Sequence, residues 1–529
     1  MVLNLLWQGA ADALIFEDIH AVLHDLNAPC FVVQSGDQIG VTAAGQLSTT
    51  GGLPLIAFVP PTTPEQLGSA DFRAAHRVRY AYMAGAMANG IASAEMVIAL
   101  GKQGLLSSFG AAGLIPARIE EAIHQIKAAL PNGAFAFNLI HNPSEDVIER
   151  GAVDLFLQHG IRTIEASAFL ELTPNVVYYR VAGLAQNPQG EVIAQNKVIA
   201  KVSRREVAIQ FMQPAPAAIL QQLRAQNLIT EEQARLAAYV PMADDVTVEA
   251  DSGGHTDNRP LVALLPSMIA LRDEIQAQYQ YATPIRIGAA GGIGTPAAAL
   301  AAFMMGAAYV VTGSINQACV EAGASAHTKR LLAQADMADV SMAPAADMFE
   351  SGIKVQVLKR GTFFPMRAQK LYELYRAYPS MDAIPAEERE RLEKQIFRRS
   401  LDEVWEGTEL YFMQRDPELV ERVKHDPKAQ MGLTFRWYLG LSSRWSNSGE
   451  KGREMDYQIW CGPAMGSFND WVRGSHLEQP ENRRVSEVAE HLMRGAAYLY
   501  RVEQLKMQGL TLPPELQAYR IGEIAPVGA

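Results

Sequence analysis

The sequence predicts an α/β protein centred on a (β/α)8 TIM barrel, with a small N-terminal α+β unit before it and a mainly helical C-terminal region after it. Three observations carry that prediction. Eight short apolar runs between Tyr80 and Ser314 alternate with helix-length stretches, the texture of parallel strands buried on both faces. Two of the last runs end in glycines, one beside a strong helix start, as the βα turns of a barrel do. The 529 residues are 49% hydrophobic and only 19% charged, ample material for a large core. An open, doubly wound sheet is the alternative that the same alternation allows.

The first 76 residues read as a separate unit. They hold a helix near "EDIHAVLHDL", strand signals in "CFVVQSGDQIGVT", and the proline-rich connector "AFVPPTTPEQLG". Residues 77–328 hold the eight runs: "YAYMAGAM", "GLLSSFGAAG", "GAFAFNLI", "IRTIEAS", "NKVIAKV", "VTVEADS", "PIRIGAAGG" and "AAYVVTGS". Between the fourth and fifth, "VVYYRVAGLAQNPQGEVI" predicts an excursion near 171–195 that includes a hairpin. Residues 329–529 are dominated by helical patterns such as "VSEVAEHLMRGAAYLYRVEQL" and contain five of the six tryptophans, Trp405, Trp437, Trp445, Trp460 and Trp471. Those rings are expected to pack the core of this region; the functional alternative is that some roof an apolar substrate or dock a partner.

A formal charge of −11 argues against nucleic acid as the main partner, because phosphate binding needs a dominant positive surface. Cys30, Cys319 and Cys461 are far apart and form no pair at metal or disulfide spacing, so a reducing cytoplasm is the expected address and no metal site is expected. The N-terminus has no basic region ahead of an apolar one and does not read as a signal peptide. From Ile287 to Val320 the chain carries no Asp, Glu, Lys or Arg for 34 residues. Glycine turns divide that run into strand, helix and strand, so no membrane span is expected.

The strongest chemical signal is "IRIGAAGGIGTP". A strand ends at Gly291 and Gly292, Thr295 stands as a helix N-cap, and Pro296 takes the first helical position. Glycines let backbone approach a ligand, and a helix N-terminus offers N–H groups to an anion. With Gly313 and Ser314 ending the next strand, the pair of loops predicts a phosphate cradle at the usual barrel position; tight turns alone are the bland alternative. One strand earlier, "DSGGHTDNRP" presents His255 after Gly253 and Gly254, on the same barrel face. A histidine there can donate a proton or hold a carbonyl oxygen near neutral pH, or it can simply brace a turn. Asp251 and Asp257 are candidates to orient its ring.

The motifs "MANGIASAEMVIALGKQGLLSSFGAAGL", "FAFNLIHNP", "VEADSGGHTD" and "IGAAGGIGTP…VVTGS" resemble the nitronate monooxygenase and flavin-dependent enoyl reductase superfamily of FMN barrels. Over nearly the whole chain, "MAPAADMFESGIKVQVLKRGTFFPMRAQKLYELYR", "FRWYLGLSSRW" and "MDYQIWCGPAMGSFNDWV" resemble the trans-acting enoyl reductase subunits of bacterial polyunsaturated fatty acid synthases and related polyketide synthases. The resemblance implies an FMN-binding barrel. Met87, Ala88 and Asn89 match the strand end lying against the flavin ring, Asn138 an asparagine near the cofactor, and Lys201 a polar position facing the flavin. Gly291, Gly292, Gly313 and Ser314 match the FMN phosphate site, and His255 matches the active-site histidine. Asp251 and Asp257 depart from the wider superfamily, which often has Glu and Gly there. That departure favours the synthase subfamily.

By the same resemblance the expected reaction is reduction of a trans-2-enoyl thioester on an acyl carrier protein, with NADPH as reductant and FMN as cofactor. Arg204 and Arg205, Arg398 and Arg399, and Arg483 and Arg484 are the candidate docks for an acidic carrier, each pair having an ordinary solvated role as its alternative. A homodimer is open to such a protein. The competing functions are a nitronate monooxygenase and an FMN-retaining scaffold subunit of a synthase.

Overall fold

The computed structural model describes residues 5–141, 146–413 and 417–522; Asn142 and Pro143 of "FAFNLIHNP" lie outside them. Eight parallel strands close into a barrel: β1 Tyr82–Ala84, β2 Leu106–Phe109, β3 Ala136–Ile140, β4 Thr163–Ser167, β5 Lys197–Val202, β6 Asp245–Glu249, β7 Arg286–Ala290 and β8 Val310–Thr312. Each coincides with one of the eight predicted runs, β6 beginning one residue earlier, at Asp245. Pairing of Val310 with Tyr82 and Thr312 with Ala84 completes the ring. The strands are buried almost throughout, which is why they read as continuous apolar runs rather than alternating ones.

At the N-terminal end of the barrel, Asp245 is enclosed between His76 Nε2 at 2.8 Å and Arg286, whose Nε and Nη2 donate at 2.5 and 2.8 Å. Burial alone raises a carboxyl, but these two partners outweigh it and hold Asp245 at about 2. A fully satisfied ion cluster at this end serves stability, leaving the opposite end for chemistry.

Leu6–Gln8, Cys30–Ser35, Gln38–Thr42, Gln46–Ser48 and Leu53–Val59 form an antiparallel five-stranded sheet. This N-terminal unit shares the main core: Val22, Val32 and Val59 belong to the same apolar cluster as Tyr82 of β1 and Val502 of the last long helix, Val485–Met507. Arg501 of that helix is fully buried and donates to the carbonyls of Val22, Leu23, Asp25 and Ala28 and to Thr62 Oγ1. A side chain 473 or more positions away thus satisfies open carbonyls at and just beyond the C-terminal end of the helix His20–His24.

The excursion after β4 contains the helix Pro174–Ala182 and the hairpin Leu184–Gln186 with Val192–Ala194. After β8 the chain is mainly helical, with Pro427–Ser448 the longest helix before the last one. Trp437 and Trp445 meet edge to face at 5.8 Å and pack a second core around Phe397 and Tyr438. Two strands missed in the sequence also lie here. Val340–Pro344 and Lys354–Leu358 pair antiparallel, and the latter pairs with Gly254–His255 of the loop after β6. The alternation in "KVQVL" is the signal for that strand, short and surrounded by helical pattern. No helix among the described residues is long and apolar enough to cross a membrane.

Candidate functional site at the barrel mouth

The loop after β6 is cross-braced. Asp251 N–H donates to Arg259 O at 3.0 Å, and Thr256 Oγ1 to Ala250 O at 3.3 Å. Gln356, from the strand alongside, donates to Asp251 Oδ1 at 2.7 Å and Ser252 O at 2.8 Å, while Asn258 Nδ2 reaches both Asp251 Oδ1 and Gln356 Oε1. Gly254 takes φ +83, a conformation that a side chain disfavours, and His255 follows it half-buried.

Neither acid of the motif orients the imidazole. Asp251 is held by Gln356 and Asn258; Asp257 accepts from Ser203 Oγ at 2.6 Å and from Arg204 Nε and Nη2 at 3.0 and 2.9 Å, a pairing that brings it down to about 2. The partner of His255 is Asp347, whose Oδ2 lies 2.9 Å from Nε2. Burial pulls His255 down, but the bond and charge of Asp347, with Glu249 beyond, outweigh it and hold the ring above its ordinary value. Asp347 is correspondingly held below the usual carboxylate range, its burial offset first by the His255 bond.

Lys201 at the end of β5 pairs with Glu249 Oε1 at 3.2 Å, and Glu165 lies near it on β4. Burial opposes the lysine charge, yet the two carboxyls keep it raised. Glu165 is fully buried, and its Oε2 accepts from Ala86 N–H at 2.7 Å. Burial pushes this carboxyl up despite Lys201. Asn138 on β3 donates to Glu165 O and Ser167 Oγ, both at 3.0 Å.

Met87, Ala88 and Asn89 form the half-buried turn after β1. Asn89 sits at φ +58 and turns Nδ2 toward Ser443 Oγ at 3.2 Å, so this side chain meets the helix Pro427–Ser448. Gly110 of the neighbouring loop has no room for a Cβ, which would fall 1.8 Å from Met87 O.

Thr295 caps the helix Pro296–Met304 as expected, accepting from Ala298 N–H at 3.2 Å. Gly291 and Gly292 have φ +85 and +75. A Cβ at Gly291 would come 2.7 Å from the backbone of Ala250, so that glycine serves packing. At Gly292 and Gly313 a Cβ would enter open space, with nothing within 4 Å. Ser314 Oγ accepts from Gly462 N–H at 3.0 Å, and a Cβ on Gly253 would strike Cys461, so the "WCGPAMG" segment lies over the ends of β6 and β8. Its glycines were the signal; their role here needed the fold.

The chemistry of this mouth fits FMN. Gly292 and Gly313, on neighbouring loops, open toward free space where the phosphate is expected. The buried carboxyl of Glu165 on β4, beside Ser108 of β2, and Asn316 Oδ1 after β8, which has no partner in the chain, suit a ring system that both accepts and donates hydrogen bonds.

The six arginines proposed as docks divide. Arg483 is fully buried, donating to Leu477 O and Asn469 Oδ1, and cannot meet a partner. Arg204 is committed to Asp257, and Arg205 to Ser267 O with Glu274 at 3.6 Å. Arg398, Arg399 and Arg484 are exposed, though Arg398 also donates to Gly452 O and to Asp456 Oδ2.

Residues 72–379 match the nitronate monooxygenase family. Residues 7–61 match the N-terminal domain of the fatty acid synthase subunit PfaD, and residues 378–457 the inserted helical domain of [acyl-carrier-protein] S-malonyltransferase. A polyunsaturated fatty acid synthase subunit of Thraustochytrium sp. is 47% identical over 507 residues, covering 94% of this chain and 34% of the relative. The polyketide biosynthesis protein PksE of Bacillus subtilis is 45% identical over 482 residues, covering 91% and 61%. The chain therefore spans less than two thirds of the length of these curated relatives. The crystal structure of the enoyl reductase domain of MlnA, from the macrolactin cluster of Bacillus amyloliquefaciens, superposes with a TM-score of 0.80 at 40% identity, covering 84% of this chain and 99% of that one.

Proposed function

The chain belongs to the nitronate monooxygenase family, and we propose that within it the protein is an FMN-dependent enoyl reductase serving a polyunsaturated fatty acid or polyketide synthase. The observation that carries this reading is the His255–Asp347 pair beside the open glycines of β7 and β8, in a chain 40% identical to an enoyl reductase domain over 99% of its length.

Bound FMN, with NADPH as the reductant, supplies the hydride chemistry. Gly292, Gly313 and Ser314, on the turn that Gly291 shapes, would hold its phosphate, and Met87, Ala88, Asn89, Asn138 and Lys201 would surround its ring. The reduction adds hydride to the β-carbon of a trans-2-enoyl thioester and a proton to the α-carbon, and the chain's own contribution is to the proton and the carbonyl. Asp347 orients the imidazole through Nε2, which leaves Nδ1 to carry the proton offered to the thioester. Because Asp347 stabilises the charged ring, His255 holds its proton more readily than a free imidazole and can polarise a carbonyl as well as donate. A positioned acid of this kind contributes about 10²- to 10⁴-fold. The acyl group arrives on an acidic carrier protein.

The test separates binding from turnover. With His255→Ala, FMN content is expected to stay normal while enoyl thioester reduction falls; undiminished turnover at full FMN loading removes His255 from the mechanism. Oxygen consumption with an alkyl nitronate in the absence of NADPH supports the oxygenase instead.

A further inference from the structure

We infer that the surface formed by Phe363, Met366 and Met455 with Arg398, Arg399 and Lys451 is the dock for an acidic acyl carrier protein, a proposal that rests on the enoyl thioester reading above. Two stretches of chain run side by side from the site to this surface. At one end Val355 pairs with His255 and Gln356 O accepts from Cys461 N–H; along the way Leu358 N–H donates to Ile459 O at 2.8 Å, and Thr362 Oγ1 to Tyr457 O at 2.9 Å. At the other end Phe363 N–H donates to Met455 O at 2.8 Å. The eight steps from Val355 to Phe363 reach at most about 29 Å.

The far end is apolar and cationic together. Phe363, Met366 and Met455 are 46%, 65% and 38% exposed, and the first two are one helical turn apart at the start of the helix Phe364–Ala377. Beneath them one buried carboxylate, Asp456, is shared by three guanidinium groups, those of Arg367, Arg398 and Arg453. Arg399 and Lys451 are exposed alongside; Glu454 borders Arg398, and Glu403 lies near Arg399. In a chain of net charge −11, a local excess of cations around exposed apolar side chains fits an acidic partner that buries an apolar helix face. Most of the cationic side lies within the stretch 378–457 that matches a domain of an acyl-carrier-protein transferase.

Met366→Glu combined with Arg399→Glu tests this, since both side chains are exposed and circular dichroism reports folding. The measurement is the Kd of a fluorescently labelled, purified acyl carrier protein, read by anisotropy without turnover. The expected result is at least about tenfold weaker binding than wild type. KM for a carrier-borne enoyl substrate is expected to rise alongside, while turnover of an N-acetylcysteamine enoyl thioester is unchanged. An unaltered Kd in the folded variant overturns the dock. Failure of the wild type to reduce either thioester overturns the enoyl reductase reading, and the anisotropy still decides the dock.

A separate observation carries a second site. We infer that Glu120, His124 and His159 bind a divalent transition metal such as Zn2+ on the outside of the barrel. The helix Pro116–Ala129 sets Glu120 and His124 one turn apart, and His159 follows the next helix. Their ligand atoms lie within 4.8 Å of one another, His159 Nε2 is 3.0 Å from Glu120 Oε1, and the two imidazoles stand nearly perpendicular with centroids 5.1 Å apart. Two imidazoles and a carboxylate, with water in the fourth position, make a complete zinc ligand set. Titration of the metal-free full chain with Zn2+ against a chromophoric chelator is expected to show one equivalent bound with Kd of about 1 µM or tighter, weakened at least tenfold in His124→Ala and in His159→Ala. Absence of binding, or equal binding in the double variant, overturns the site.

Discussion

His255 Nε2 lies 2.9 Å from Asp347 Oδ2, joining the loop after β6 to a segment 92 positions later. The histidine proposed for catalysis is thus oriented by the region that follows the barrel. Asp347→Asn keeps the shape and removes the charge. It is expected to lower turnover about 10- to 100-fold and to move the alkaline limb of the pH–rate profile to lower pH, with FMN affinity unchanged. The sign follows from the shift: Asp347 holds His255 above its ordinary value, so its loss lets the ring deprotonate earlier. A profile that does not move makes Asp347 merely structural.

The same pair makes stability pH-dependent. A raised histidine stabilises fully below its unfolded value of 6.5 and loses that contribution as pH rises through its folded value. A lowered aspartate stabilises above 3.8 and loses that contribution as pH falls through its folded value. The stability advantage of wild type over Asp347→Asn is therefore expected to be greatest between those two values, measured by urea unfolding across pH.

Glycines at the mouth separate by role. Gly313→Val places a side chain in open space and is expected to weaken FMN binding at least about tenfold, the steric loss of one or two phosphate hydrogen bonds. Gly291→Val strikes Ala250 and needs φ +85, so it is expected to reduce folding itself. Flavin content and thermal melting of the two variants distinguish the effects.

Asp245→Asn leaves Arg286 and His76 facing each other without their buried counter-charge. A loss of about 3–5 kcal/mol is expected, read by chemical denaturation. Because Asp245 is held at about 2, its contribution is present above 3.8 and disappears only as pH falls through about 2.

The barrel was legible because strands buried on both faces leave long apolar runs, and Thr295 with Pro296 announces a helix start within two residues. The glycine turns after β7 and β8 and the place of His255 after β6 were legible because backbone constraint marks each within one short stretch. Asp347 and Gln356 were not, since nothing local in "PAADMF" or "KVQVL" says which loop they will meet. Asp251 and Asp257 looked like partners of His255 by proximity alone, but Gln356 and Arg204 had already claimed them. Arg483 read as a surface pair with Arg484, and only the fold shows that one of the two points inward.

The most direct test of the enoyl reductase account is anaerobic stopped-flow on the FMN-loaded protein, following flavin absorbance on mixing with NADPH and then with a carrier-bound trans-2-enoyl thioester. The account predicts that the flavin bleaches with NADPH and recovers with the thioester, and that His255→Ala slows the recovery while leaving the bleaching intact. Flavin that bleaches but never recovers with the enoyl thioester, or that recovers equally fast without His255, contradicts it.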